Sequence, residues 1–135
     1  MSKESKRLAY IEDESEMIDL VRIILGRRGY TVLGANGGRE GLELVRNELP
    51  DLVLLDLMMP DMDGWDVYHQ IKSEESTRDI PVIVITAKAQ NIDKVLGLRI
   101  AKVEDYIAKP FSPQELLDRI DKVLSKQVKV NNQES

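Results

Sequence analysis

Charged and hydroxyl side chains stand directly after the chain's most apolar segments. Glu12-Asp13 follow Leu8-Ala9-Tyr10-Ile11, Asp56 follows Leu52-Val53-Leu54-Leu55, Thr86 follows Val82-Ile83-Val84-Ile85, and Lys109-Pro110 follow Tyr106-Ile107-Ala108. If the runs ending at Ile11 and Leu55 lie side by side, three carboxylates meet in one crevice. Two unit charges ~4 Å apart repel by ~4 kcal/mol at the effective dielectric near a protein surface, so such a group calls for a counter-charge. A hard divalent cation supplies one, and oxygen-only ligands favour magnesium, manganese or calcium over zinc. Lys109 offers a fixed positive charge and Thr86 a hydroxyl able to bond an incoming oxygen. An acceptor carboxylate, a cation, a lysine and a hydroxyl together meet the demands of phosphoryl transfer. There the charge on the phosphoryl oxygens must be neutralised and the attacking oxygen aligned. Aspartate is a competent nucleophile for that step, forming an aspartyl phosphate.

The patterning predicts the elements that hold these residues. Short, nearly continuous runs of branched apolar residues are the mark of strands covered on both faces, as in a parallel sheet between helices. Thr31-Val32-Leu33 and Tyr106-Ile107-Ala108 are shorter and read as edge or late strands. Helical spacing fills the gaps. Met17, Ile18, Val21, Ile24 and Leu25 form one stripe, closed by Gly29. Leu42, Val45 and Leu49 form a second, stopped before Pro50. Trp65, Val67, Tyr68 and Ile71 predict a third helix, and Ile92, Val95, Leu96 and Ile100 a fourth. The fifth begins at Ser112-Pro113-Gln114-Glu115, with an N-cap serine, a proline in the first turn and a capping-box glutamate. Leu116, Leu117, Ile120, Val123 and Leu124 supply its buried face. The order is βα five times, without internal linker or low-complexity block. With right-handed crossovers this is a doubly wound α/β sheet, whose functional site lies outside the carboxyl ends of the strands.

Composition bounds the function classes. The 135 residues suit one compact domain, 42% hydrophobic and 32% charged, an ordinary globular balance. The 24 acidic against 19 basic residues give a net charge of −5, which argues against direct nucleic-acid binding by this chain. Without cysteine there is no disulfide framework, thiolate nucleophile or thiolate metal site. Met1 to Lys6 lack the apolar core of a signal peptide, and no apolar run approaches the ~20 residues of a membrane span. A cytoplasmic location is expected.

The chain resembles the receiver domains of bacterial response regulators, over roughly residues 6 to 126. The segments that carry the likeness are Ile11-Glu12-Asp13-Glu14, Leu54-Leu55-Asp56-Leu57-Met58-Met59-Pro60-Asp61-Met62-Asp63-Gly64, Ile85-Thr86-Ala87-Lys88 and Asp105-Tyr106-Ile107-Ala108-Lys109-Pro110-Phe111. The resemblance implies a CheY-like five-stranded parallel sheet in the order 2-1-3-4-5 and a receiver over residues 1–126; residues 127–135 read as a polar tail that could begin a linker in a longer protein. The resemblance also implies that Asp56 is the phosphoacceptor for a sensor histidine kinase or phosphotransfer protein. Glu12, Asp13, Asp56 and the backbone carbonyl of Met58 would hold Mg2+, with Mn2+ a substitute. Lys109 would pair with acceptor and phosphoryl group, and Thr86 and Tyr106 would form the switch pair. Lys109-Pro110 is expected to be cis. Lys94, Asp105, Glu115 and Arg119 resemble charged positions of a dimer face, which would support a phosphorylation-dependent homodimer; the plain alternative is a solvated surface. Output would pass through the face of helix 4, strand 5 and helix 5. Activity would be at most self-phosphorylation and self-dephosphorylation.

Two departures from the family pattern stand out. The first acidic pair is Glu-Asp where Asp-Asp is common, and the longer Glu12 side chain can reach a metal through water. Lys102-Val103-Glu104-Asp105 replaces the frequent Gly-Ala before the last acidic pair, so altered geometry is expected after the fourth helix. Plainer readings stand beside the chemical ones. Asp13 with Glu16 could cap the first helix, Asp56 could form a turn, and His69 reads as a surface residue. Two rival functions remain. A haloacid-dehalogenase-like phosphatase would need a second aspartate where Met58 stands, and an adaptor using the fold without phosphorylation would not need Asp56, Thr86 and Lys109 intact.

Overall fold

The computed structural model describes residues 5–87 and 103–134. Among these, β1 (Arg7–Ile11), α1 (Ser15–Gly26), β2 (Thr31–Ala35), α2 (Gly38–Glu48), β3 (Leu52–Asp56), α3 (Gly64–Ser73), β4 (Val82–Thr86), β5 (Asp105–Ala108) and α4 (Pro113–Glu134) follow one another. The strands form one parallel sheet in the order β2-β1-β3-β4-β5. The sequence expectation of a CheY-like 2-1-3-4-5 sheet is met, with the two shorter strands at the edges. The predicted helix at Ile92 to Ile100, with Lys94, Lys88 and Lys102, lies outside the described residues.

Period-2 alternation divides the central strands between two cores. Leu8, Tyr10, Leu52, Leu54, Ile83, Ile85 and Ile107 face α1 and α4, where Val21, Leu25, Leu116 and Ile120 cover them. Ala9, Ile11, Val53, Leu55, Val82 and Val84 face α2 and α3, under Leu42, Val45, Val67 and Ile71. Both faces of β1, β3 and β4 are thus dry, which is why their sequences read as unbroken apolar runs.

The element ends show where local chemistry governs. Gly29, at φ 92, closes α1: its N–H bonds to the Gly26 carbonyl and that of Tyr30 to Leu25, a pairing that needs a left-handed residue. Ser112 caps α4, its hydroxyl accepting from the Glu115 N–H at 3.0 Å. Two expectations are corrected. The residue capping α1 is Glu14, without a side-chain bond, so Asp13 is not the cap. Leu49 is 51% exposed and leaves the apolar stripe, because it takes the left-handed conformation (φ 47) that ends α2 before Pro50. The stretch 127–135, expected as a tail, is helical as far as Glu134, since neither glycine nor proline interrupts it. The turn after α1 is tied to α4, where Arg28 and the Tyr30 hydroxyl both donate to Asp121.

Candidate functional site

Register brings the acidic residues together. Ile11 pairs with Leu55 across β1 and β3, so one step further along the same register sets Glu12 beside Asp56. Glu12, Asp13 and Asp56 each offer an oxygen within 4.8 Å of the others. Glu12 is fully buried and Asp56 nearly so, while Asp13 is the open edge of the cluster.

Lys109 reaches the same hollow from the end of β5, where its N–H extends the ladder to the Thr86 carbonyl at 2.9 Å. The Lys109-Pro110 bond is cis, as expected. Lys109 Nζ lies 2.8 Å from Glu12 Oε1 and 3.7 Å from Asp56 Oδ2. Glu12 Oε1 also accepts from the Tyr10 hydroxyl at 2.9 Å, and Oε2 from the Glu14 N–H at 3.2 Å. The Met58 N–H donates to Asp56 Oδ1 at 3.1 Å.

These partners separate the two buried carboxylates electrically. Burial raises the pKa of Glu12, but hydrogen bonds from Lys109 and Tyr10 outweigh it and the net shift is downward. Asp56 is raised from 3.8 to about 6, first by burial and then by the charge of Glu12, with the Met58 N–H and Lys109 only partly compensating. Lys109 is held above the usual lysine value; burial opposes its charge, but Glu12 and Asp56 favour it more. Burial, reinforced by Glu12, pushes the Tyr10 hydroxyl far up, so it remains a donor.

The Asp56 shift has a measurable result. Its folded pKa exceeds its unfolded one, so the neutral form favours folding below about 4 and that advantage is lost as pH rises through about 6. Above pH 6 the ionised group costs the fold about 2 kcal/mol after allowance for solvent screening. Asp56→Asn is therefore expected to raise the Tm at pH 7.5 in chelator, with no gain below pH 4. Thermal melts across that range check it, and a Tm at pH 7.5 no higher than the parent's contradicts it.

Thr86 is buried at the end of β4 and Tyr106 half-buried on neighbouring β5, where the register pairs Tyr106 with Val84 and Thr86 with Ala108. Tyr106 packs against the α2–α3 core. Met58 is 52% exposed beside the hollow. Arg119 pairs within the chain with both Asp105 and Glu115, at 2.7 Å and 3.5 Å.

Two residues escaped the sequence reading. Tyr10 could have been noticed because two strand positions place it on the face of Glu12. Asp61 could not: from the loop before α3 it accepts the Gly38 and Arg39 N–H groups at 3.1 and 3.3 Å. It thereby caps α2, whose Gly37-Gly38 start has no side-chain cap of its own. Those two N–H groups, first of all, hold the Asp61 carboxyl below the usual range, despite a small opposing desolvation.

Fold and site define an open α/β protein with a carboxylate–lysine hollow at the carboxyl edge of its sheet, beside the point where strand order reverses. The family model for the response regulator receiver domain matches residues 8–121. The chain belongs to that family. It is 38% identical over 120 residues to the alkaline phosphatase synthesis transcriptional regulatory protein PhoP of Bacillus subtilis, covering 89% of this chain and 49% of that protein. It is 37% identical over 130 residues to the probable transcriptional regulator ycf27 of Porphyra purpurea, covering 96% and 52%. The chain thus spans about half the length of these curated relatives. Among solved structures, a CheY-like receiver domain protein from Methanospirillum hungatei superposes with a TM-score of 0.83 at 31% identity, covering 93% of this chain and 98% of that one. No described helix is long and apolar enough to cross a membrane. The clustered carboxylates could hold a divalent metal.

Proposed function

We propose that Asp56 is the phosphoacceptor of this receiver, with Glu12, Asp13, Asp56 and the backbone carbonyl of Met58 holding Mg2+, or Mn2+ in its place. The observation that carries this reading is the meeting of three carboxylates within 4.8 Å under a lysine shared between Glu12 and Asp56. The donor set is all oxygen, which fits a hard divalent cation. When bound, the ion neutralises carboxylates and phosphoryl oxygens together. The donor is a sensor histidine kinase or phosphotransfer protein. An Asp56 oxygen attacks phosphorus, the P–N bond to the donor imidazole breaks, and the imidazole leaves with its electron pair to be protonated. Lys109 shifts from Glu12 toward the incoming phosphoryl oxygens. Thr86 and Tyr106 form the switch pair that transmits the change to the face of β5 and α4.

The receiver occupies residues 1–126, and the protein acts in the cytoplasm, catalysing at most its own phosphorylation and dephosphorylation. It binds no nucleic acid directly. Lys94, Asp105, Glu115 and Arg119 take part in phosphorylation-dependent homodimerisation, in which the intrachain bonds of Arg119 exchange for bonds to a second copy.

Acetyl phosphate with Mg2+ tests the central assignment. Intact mass spectrometry is expected to find one added phosphoryl group on the parent and none on Asp56→Asn. Undiminished incorporation by the variant removes the assignment.

A further inference from the structure

Tyr10 is fully buried near the carboxyl end of β1, within the apolar core under α1 and α4. A hydroxyl in such surroundings is costly unless bonded, and this one donates to Glu12 Oε1 at 2.9 Å. A carboxylate has about four acceptor positions. On Glu12, Tyr10 and Lys109 take both positions on Oε1, and the Glu14 N–H takes one on Oε2. These three donors leave one position on Oε2; the neighbouring Asp56 carboxyl hydrogen-bonds Glu12 when protonated but offers no donor once ionised. The three donors differ in what they can do next. Lys109 is shared with Asp56 at 3.7 Å and is free to follow charge. The backbone N–H and the core-packed tyrosine are not.

Taking Glu12 as part of the divalent-ion site, as proposed above, we infer that Tyr10 is its positioning residue: the buried hydroxyl fixes the Glu12 carboxylate so that its remaining acceptor position serves the ion or a water of its shell. Glutamate is one methylene longer than the aspartate common at this place, and that extra reach brings Oε1 to the tyrosine. The tyrosine thus restores the order that the longer, more flexible side chain would lose. It also keeps a donor on buried Oε1 when Lys109 moves away.

Isothermal titration of Mg2+ into the parent, Tyr10→Phe, Glu12→Asp, the double variant and Glu12→Gln tests this. Removing a partner that orients a metal-binding carboxylate weakens binding by about ten-fold or more, and that is the loss expected for Tyr10→Phe. In Glu12→Asp the carboxylate stops short of the hydroxyl, so adding Tyr10→Phe is expected to change the affinity by less than about two-fold. A purely structural tyrosine would move melting temperatures but not this difference between backgrounds. Tyr10→Phe binding within about two-fold of the parent, or more tightly, overturns the inference; so does an equal loss in both backgrounds. If either occurs while Glu12→Gln still loses affinity, the metal-site reading survives without Tyr10. A parent that binds no Mg2+ removes both.

Discussion

Lys109→Met is expected to lose about 3 kcal/mol of stability at neutral pH in chelator, a fall in Tm of roughly 10 °C for a domain of this size. The fully buried Glu12 carboxylate would keep only the Tyr10 hydroxyl and the Glu14 N–H. Two neutral donors cannot replace the ammonium at 2.8 Å, and a buried charge stripped of its partner costs more than the pair contributed. This loss is at the low end for buried pairs because Lys109 keeps 17% exposure. The pH dependence has a definite sign. Glu12 is held below its usual value of 4.5, so its stabilisation is present above that pH and lost as pH falls through the folded value. The deficit of Lys109→Met is therefore expected to narrow in acid, where Glu12 is neutral. Adding Glu12→Gln is expected to restore most of the loss, since both charges are then gone. Saturating Mg2+ would restore part of it by supplying another counter-charge. Denaturant unfolding of the single and double variants checks this. A single variant as stable as the parent, or a double variant that recovers nothing, would show that Lys109 does not compensate Glu12.

The same pair shows what could be read from the chain alone. Apolar runs followed by Glu12-Asp13, Asp56, Thr86 and Lys109 place each residue at a strand's end, and a doubly wound sheet brings such ends to one edge. That inference needs only periodicity and handedness. Periodicity tells which face a residue shares, however, not which neighbour it meets. Hence Lys109 could be put near the acids, while its lying closer to Glu12, at 2.8 Å, than to Asp56, at 3.7 Å, is set by side-chain packing that periodicity does not report. The Asp61 cap on α2 left no local trace, because acceptor and donors are over twenty residues apart. Asp13 is the opposite case: a local capping pattern is legible there, but the helix begins later, at Ser15. At Leu49 the stripe gave way to the need to end α2 in a left-handed residue.

Gly64→Ala is expected to destabilise the protein by about 3 kcal/mol and to slow phosphorylation by acetyl phosphate at least about ten-fold. Gly64 opens α3, after Asp63 has capped the helix by accepting the Trp65 N–H at 2.8 Å. A Cβ there would lie 2.4 Å from Leu57 Cα and 2.8 Å from the Asp56 carbonyl oxygen. Both obstacles are backbone and cannot swing aside as a side-chain tip would. The loop between β3 and α3 would have to shift, and it begins at the phosphoacceptor proposed here. The Met58 N–H that bonds Asp56 and the Asp61 carboxylate that caps α2 lie on that loop, so stability and chemistry should fall together. Gly26 is the matching control. It too is helical, but nothing lies within 4 Å of an added Cβ, so alanine there is expected to stabilise by about 0.5–1 kcal/mol. Opposite signs at the two sites would tie the effect to close backbone approach, whereas equal small gains would mean that the loop yields freely. On this account the glycine ending Met59-Pro60-Asp61-Met62-Asp63-Gly64 serves packing: α3 starts against the backbone of Asp56 and so fixes the carboxylate's position relative to Glu12 and Lys109.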